Sequence, residues 1–99
     1  MEIRADVELS DPRLYMIRLC KHFAHKLDVD VGENSATISS PFGFCTLTAG
    51  DTKLSIVASE VAPDQCSDDE HFIADHLKRF AYREEPEINW SRSEANYGA

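Results

Sequence analysis

The period of the hydrophobic pattern changes along the chain, and each change predicts a new element. Residues 3–9, IRADVEL, alternate apolar and polar side chains, as expected for a β-strand with one buried face. Residues 12–26 instead carry one apolar stripe at helical spacing, which predicts an amphipathic helix. Asp11 is a good N-cap for this helix, and Pro12 suits its first position. The stripe consists of Met16, Leu19, Cys20, Phe23 and Leu27.

The alternating pattern returns after the first helix and is interrupted by three turn sequences. The turns GEN at 32–34, PFG at 41–43 and GD at 50–51 hold residues that favour tight bends. They separate four predicted strands near residues 29–31, 36–40, 44–49 and 54–58. Because turns this short join neighbouring strands, we expect the strands to pair antiparallel.

A second amphipathic helix is predicted over residues 68–84. It follows the sequence SDDE, in which Ser67 and Glu70 match a capping box. Acidic residues fill its first turn and basic residues its later turns, in agreement with the helix dipole. Pro86 ends the helical pattern, and we expect Trp90 to pack against the core. The apolar stripe of this helix consists of Ile73, Leu77, Phe80 and Ala81.

The element order β-α-β-β-β-β-α predicts an α+β fold. An antiparallel sheet with one buried face needs a covering layer, and two amphipathic helices supply it. We therefore expect a two-layer sandwich with four to five strands and both helices on one face. Residues 1–90 should form a single domain, and residues 91–99 are expected to be a disordered tail.

Composition narrows the class of protein. Hydrophobic residues make up 42% of the 99 positions, enough for one folded domain. The net charge of −8 argues against nucleic-acid binding, double-stranded RNA included. The N-terminus MEIRADVELS lacks a signal-peptide pattern, and no apolar run reaches the length of a membrane span. Three cysteines are an odd number, which argues against a disulfide framework, so we expect a reduced, cytoplasmic protein without a membrane partner.

The three thiols differ in their predicted surroundings. Cys20 and Cys45 point inward by the period of their elements and are expected in the core. Cys66 lies just before the second helix, where the helix N-terminus lowers a thiol pKa and acidic neighbours oppose that effect. The sequence favours an exposed, unreactive thiol at this position.

Candidate chemistry is concentrated in RLCKHFAHKL, residues 18–27. On a helix, His22 and His25 lie opposite the apolar stripe, together with Lys26 at its edge. Arg18 and Lys21 share the same outer face. Cys20 belongs to the buried stripe, so the thiol and the imidazoles should not meet around one atom.

A related pattern occurs on the second helix. His76, Arg79 and Arg83 continue a stripe that begins at Phe72 and runs beside the apolar one. The arginines and the histidine could together bind a carboxylate, phosphate or catecholate. Alternatively, they form a helix flank whose cations meet nearby acidic side chains.

Catalytic and metal-binding signatures are absent from the sequence. No phosphate-binding glycine loop, nucleophile elbow, Cys-x-x-Cys or His-Glu-x-x-His occurs. A metal at His22 and His25 would need further ligands, and the neighbouring cations oppose it. We therefore expect no cofactor and no catalytic residues.

Three motifs resemble one bacterial family. LCKHFAHK at 19–26, PFGFCTL at 41–47 and HLKRFAYREE at 76–85 are similar to the family known as domain of unknown function 2218. One departure is Leu14, where the family pattern has an arginine before Tyr15. The resemblance implies a small bacterial protein, and similarity to an accessory segment of siderophore-interacting flavin reductases implies iron or siderophore handling. Carried over by motif, the residues to consider are His22, His25, Lys26, His76, Arg79 and Arg83.

The leading hypothesis is a non-enzymatic binding module. The histidines and cations of the two helices would bind an anionic ligand or an acidic protein partner, with ferric siderophores among the candidates. This hypothesis requires the two helices to lie side by side with these flanks facing each other. One alternative is a homodimeric interaction module that uses the outer sheet face or an edge strand, as Phe44 and its neighbouring threonines indicate. A second alternative is a metal-binding protein that uses the histidines.

Overall fold

A computed structural model describes residues 1–94 of the 99-residue chain. It contains one six-stranded sheet and two α-helices. The strands are β1 (Glu2–Glu8), β2 (Val29–Val31), β3 (Ser35–Ser40), β4 (Gly43–Ala49), β5 (Lys53–Ser59) and β6 (Ser91–Ser93), and the helices are α1 (Pro12–Phe23) and α2 (Cys66–Phe80). No helix in this part of the chain is long and apolar enough to cross a membrane.

The sheet has the order β2-β3-β4-β5-β1-β6, and every neighbouring pair is antiparallel. The register places Val7 opposite Leu54 and Leu47 opposite Ile56, so apolar residues of adjacent strands share one face. Both helices pack on that face, and Met16 and Leu77 are fully buried there. The predicted α+β sandwich is thus confirmed, with its helical layer on one side.

The sixth strand corrects the predicted strand count and part of the predicted tail. Residues 91–93, which we expected to be disordered, pair with β1 as β6. On this strand Arg92 lies opposite Ile3, and its guanidinium contacts Glu70 at 2.6 Å and donates to Ser67 Oγ at 3.0 Å. The sequence SRS has no hydrophobic alternation, so a local pattern could not reveal the strand. Residues 95–99 of the predicted tail lie outside the described residues.

Helix α1 begins as predicted and ends earlier. Asp11 caps it by accepting from the Leu14 N–H at 3.2 Å. The helix ends at Phe23, and the chain continues through a turn in which the Lys26 N–H donates to the Phe23 carbonyl at 3.0 Å. His25 therefore lies in the turn after the helix, which changes its direction relative to helical spacing.

Helix α2 also departs from its predicted ends. A 3₁₀ turn at Pro63–Gln65 leads directly into the helix, so the N-cap is Gln65 and the predicted capping box does not form. Cys66 consequently falls on the buried stripe and is 1% exposed, which corrects the expectation of an exposed thiol. At the other end the α-helix stops at Phe80, and a 3₁₀ turn covers Tyr82–Glu84.

The remaining predictions about the core hold, and the structure also buries one charged residue that the sequence did not indicate. Cys20 and Cys45 are buried, and Trp90 packs against the core. Asp69, one turn along α2 from Cys66, is also fully buried. Neither of its carboxylate oxygens has a hydrogen-bond partner among the described residues. Burial, with a smaller effect of the charge on Glu70, raises the pKa of Asp69 from 3.8 to about 6.

Candidate functional site

A cavity opens where the C-terminal end of α1 meets the middle of α2. Its volume is about 300 Å³, at the lower end of the range that small-molecule sites occupy. Four apolar side chains form most of its wall, and three histidines and one lysine complete it. We call it the aromatic cavity, and its lining residues are His22, Phe23, His25, Lys26, Leu27, Pro41, Phe72 and His76.

Aromatic contacts between the helices build the wall of the aromatic cavity. Phe23, the last residue of the buried stripe on α1, stacks on Phe72 of α2 with centroids 5.4 Å apart. Phe42, from the turn between β3 and β4, meets Phe72 edge-on at 5.9 Å. Gly43 allows this turn to approach β5, because a Cβ at that position would clash with the Ser59 carbonyl.

Two imidazoles face each other across the helix pair. The His22 and His76 rings are 5.1 Å apart, and His76 also contacts Phe23 at 4.9 Å. His76 Nδ1 lies 2.7 Å from the Phe72 carbonyl, which can only accept, so Nδ1 carries the proton and donates. In the neutral ring, Nε2 is then an acceptor or ligand atom, and in the protonated ring it donates to an anion.

A second, more open hollow shares part of its rim with the aromatic cavity. His22 and His25 line both spaces. Beyond them, Arg18 and Lys21 of α1 and Phe80 of α2 complete a hollow of about 430 Å³, which we call the basic hollow. The His22 ring meets Phe80 edge-on at 5.6 Å, so the same imidazole contacts aromatic side chains on both sides of the rim.

The charge around these two spaces is opposite to that of the chain. The sequence has 18 acidic and 10 basic residues, yet within residues 1–94 no carboxylate lines the aromatic cavity or the basic hollow. In the same part of the chain, the ion pairs within 4.0 Å are Arg4–Glu2 and Arg92–Glu70. Lys21, Lys26 and Arg18 therefore face solvent without a carboxylate partner at that distance.

Carboxylates gather elsewhere, beside the exposed face of β1. A separate hollow there is lined by Asp6, Glu8, Glu84, Glu85, Glu87 and three other residues. Glu84 accepts from the Ser10 N–H at 2.7 Å and from the Ser10 hydroxyl at 2.8 Å. A hydrogen bond from Tyr15, together with those from Ser10, lowers the pKa of Glu84. Five carboxylates and one lysine, Lys53, thus line this hollow, whereas no carboxylate of residues 1–94 lines the basic hollow.

The structure brings together four of the six residues singled out in the sequence. His22, His25, Lys26 and His76 line the aromatic cavity. Arg79 and Arg83 are exposed and line neither space, which departs from the stripe expected from helical spacing. Arg83 falls in the 3₁₀ turn after α2, where its Nε donates to the Tyr82 hydroxyl at 3.1 Å.

Two further cations line the basic hollow, and the sequence analysis placed them on the outer face of α1 without including them among the site residues. Arg18 and Lys21 share the outer face of α1 with the histidines, and that shared face was the available signal. Pro41 carried no signal, because its place in the cavity depends on the tertiary contact between a strand turn and α2. Within residues 1–94, no group of three or more His, Cys, Asp or Glu side chains is arranged to hold a metal ion.

Comparisons with known proteins agree with the fold. A family model described as "Uncharacterized protein conserved in bacteria (DUF2218)" matches residues 4–91. The NMR structure of PA4090 from Pseudomonas aeruginosa is similar, with a TM-score of 0.77 and 28% sequence identity over 95% of this chain and 98% of that chain. No curated protein shows a match to the chain. The family match confirms the resemblance seen in the three sequence motifs.

Proposed function

Since the chain belongs to DUF2218, a family of uncharacterised bacterial proteins, we propose a function from its own cavity: non-enzymatic binding of an aromatic organic anion. The ligand's flat apolar body would occupy the aromatic cavity. Its anionic group would face His22, His76 and Lys26. Arg79 and Arg83, which we included on sequence grounds, stay outside this site.

The main support for the proposal is that the aromatic cavity is lined by histidines and a lysine although the chain as a whole is acidic. The chain has a net charge of −8, and its 18 acidic residues outnumber its 10 basic ones. Here Lys26 and three histidines surround one cavity, and within residues 1–94 no carboxylate joins them. A charged hydrogen bond to an anion contributes roughly 1.5–3 kcal/mol, enough to select anions over neutral analogues.

The aromatic wall supports a planar ligand. Phe23 and Phe72 offer a stacked pair at the cavity, and His76 packs against both of them. Aromatic rings favour offset-stacked or edge-on partners, so a substituted benzoate or catecholate suits this wall better than inorganic phosphate. Such groups occur in catecholate siderophores, and an accessory role in iron handling remains the biological setting that the family resemblance implies.

Titration with small anions tests the proposal directly. The probe is 2,3-dihydroxybenzoate, followed by NMR of the imidazole and backbone signals, with inorganic phosphate as the non-aromatic comparison. We expect His22 and His76 signals to shift, and His76→Gln to weaken binding about tenfold, the value of one charged hydrogen bond. The matched control is His71→Gln, because His71 is exposed on the same helix and lines neither space.

Two results would count against the proposal. One is the absence of any shift in the cavity histidines at millimolar probe. The other is an equal loss of affinity in His71→Gln and His76→Gln, which would indicate non-specific attraction to the histidines rather than a built site.

A homodimeric interaction module is the second candidate, and one exposed aromatic residue favours it. Phe44 is 47% exposed on the outer face of the sheet, beside Thr46 on the same strand. Such a patch is typical of an interface when it forms part of a larger apolar surface. Sedimentation equilibrium at high protein concentration, repeated on Phe44→Ser, tests this candidate. A monomer in both cases removes it.

A further inference from the structure

The basic hollow adjoins the aromatic cavity, and the two spaces together restrict the class of ligand that the proposed site would bind. We infer that the ligand is an elongated organic dianion, with one acidic group at the cavity histidines and the second at Arg18 and Lys21. This inference rests on the proposed function, because it assigns the far end of the same ligand. The shared rim of His22 and His25 joins the two spaces into one surface.

The positions of Arg18 and Phe23 on α1 set the length of such a ligand, because Arg18 lines the basic hollow and Phe23 lines the aromatic cavity. The two residues are five positions apart, which corresponds to about 8 Å along the helix axis at 1.5 Å per residue. A single carboxylate or phosphate spans less than this separation, so it does not by itself occupy both spaces. Two anionic groups at opposite ends of a planar body match this separation, with the body lying across the His22 ring.

Arg18 is held in a position where it can bind an anion. Its guanidinium lies 6.0 Å from the centre of the half-buried Tyr15 ring, a cation–π contact. This contact restrains the side chain without using its hydrogen-bond donors. Because no carboxylate of residues 1–94 lies within 4.0 Å, the planar fork stays available for bidentate binding.

Helix-dipole stabilisation is the competing explanation for part of this surface. Lys21 and His22 lie in the last turn of α1, where cations interact favourably with the exposed carbonyl groups. That explanation does not extend to Arg18, which precedes the last turn, or to His76 in the middle of α2. A ligand that spans both spaces accounts for all four.

Two probes that differ by one carboxylate test the contribution of the second end of the site. The probes are biphenyl-4-carboxylate and biphenyl-4,4′-dicarboxylate, which share one body and differ in a single remote carboxylate. Calorimetric titration of the full chain at 150 mM salt compares their affinities. The test variant is Arg18→Gln combined with Lys21→Gln, and the charge-matched control is Arg79→Gln combined with Arg83→Gln, because Arg79 and Arg83 line neither space.

The expected pattern is specific to the dianion. The wild-type protein should bind the dicarboxylate about tenfold more tightly than the monocarboxylate, as one further charge-assisted contact allows. The test variant should reduce this ratio to near one, and the control variant should keep it. Equal affinities for the two probes in the wild-type protein would overturn the dianion while leaving the proposed anion site intact. Failure of both probes to bind would overturn the two proposals together.

Discussion

Asp69 gives the sharpest test of the structure, because its carboxyl group is buried and has no hydrogen-bond partner within residues 1–94. Ionising it inside the core forfeits hydration that the unfolded chain retains. The pKa rises from 3.8 to about 6 in the folded protein. At 1.36 kcal/mol per pKa unit, this rise corresponds to about 3 kcal/mol of lost stability at neutral pH. The helix N-terminus favours the carboxylate by about 0.3–1 kcal/mol, too little to offset the loss.

The direction of the pH dependence follows from which state holds the proton. Below the unfolded-state pKa of 3.8, Asp69 is protonated in both states and costs nothing. Between 3.8 and about 6, the folded protein binds the proton and the unfolded chain does not, so stability falls as the pH rises. Above this window both states are ionised, and the penalty stays constant. Asp69→Asn removes this dependence altogether.

Urea unfolding of the two proteins at pH 4, 5, 6 and 7 measures the effect, with Trp90 fluorescence as the signal. We expect the free energy of unfolding of Asp69→Asn, relative to wild type, to increase by about 2.4 kcal/mol between pH 4 and pH 7, because part of the penalty is already present at pH 4. Using this difference cancels the titration of other carboxylates. Asp68→Asn is the matched control, because Asp68 is the exposed neighbour in the same turn. A difference that stays constant with pH for Asp69→Asn would refute the reasoning.

Three further predictions concern the turn, the sixth strand and the thiols. Gly43→Ala should lower the free energy of unfolding by at least 1–3 kcal/mol, roughly the cost of strained backbone, because its Cβ meets the Ser59 carbonyl; urea unfolding measures it. Removing residues 91–99 should lower the thermal midpoint of unfolding more than Arg92→Gln does, because the deletion also removes the pairing of β6 with β1. Thermal unfolding of both variants, monitored by circular dichroism, measures the difference. Cys66 should resist alkylation in the native protein and react in urea, because it is 1% exposed; mass spectrometry of labelled peptides shows which thiols react.

Local periodicity was sufficient to predict most of the fold. The alternating pattern at residues 3–9 corresponds to β1 at Glu2–Glu8, and the stripe containing Met16 and Leu19 is the buried face of α1. These features depend on side chains a few residues apart, which a single sequence displays directly. The ends of elements were less predictable, because the 3₁₀ turns around α2 depend on how the adjoining chain packs.

Features that depend on distant residues could not be predicted in this way. β6 forms because the edge of β1 is free, although the two segments are nearly ninety positions apart. Asp69 lies on the same stripe as Cys66 and Ile73, but an aspartate there indicates an exposed first turn rather than a core position. The aromatic cavity needs Pro41 and Phe72 to line the same space, and the contact of Phe42 with Phe72 that joins their segments is a property of the assembled sheet and helix.

The same limit explains which residues of the binding hypothesis the structure places together and which it does not. Helical spacing correctly indicated that one flank of α1 collects cations, because that flank lies within a single element. It failed at Arg83, since α2 ends three residues earlier and the 3₁₀ turn changes the direction of the chain. The two helices do face each other through His22 and His76, the contact that the hypothesis required. The cationic surface therefore follows α1 and crosses to α2 at one histidine, so the proposed function predicts that substitutions on α1 affect anion binding more widely than those beyond His76.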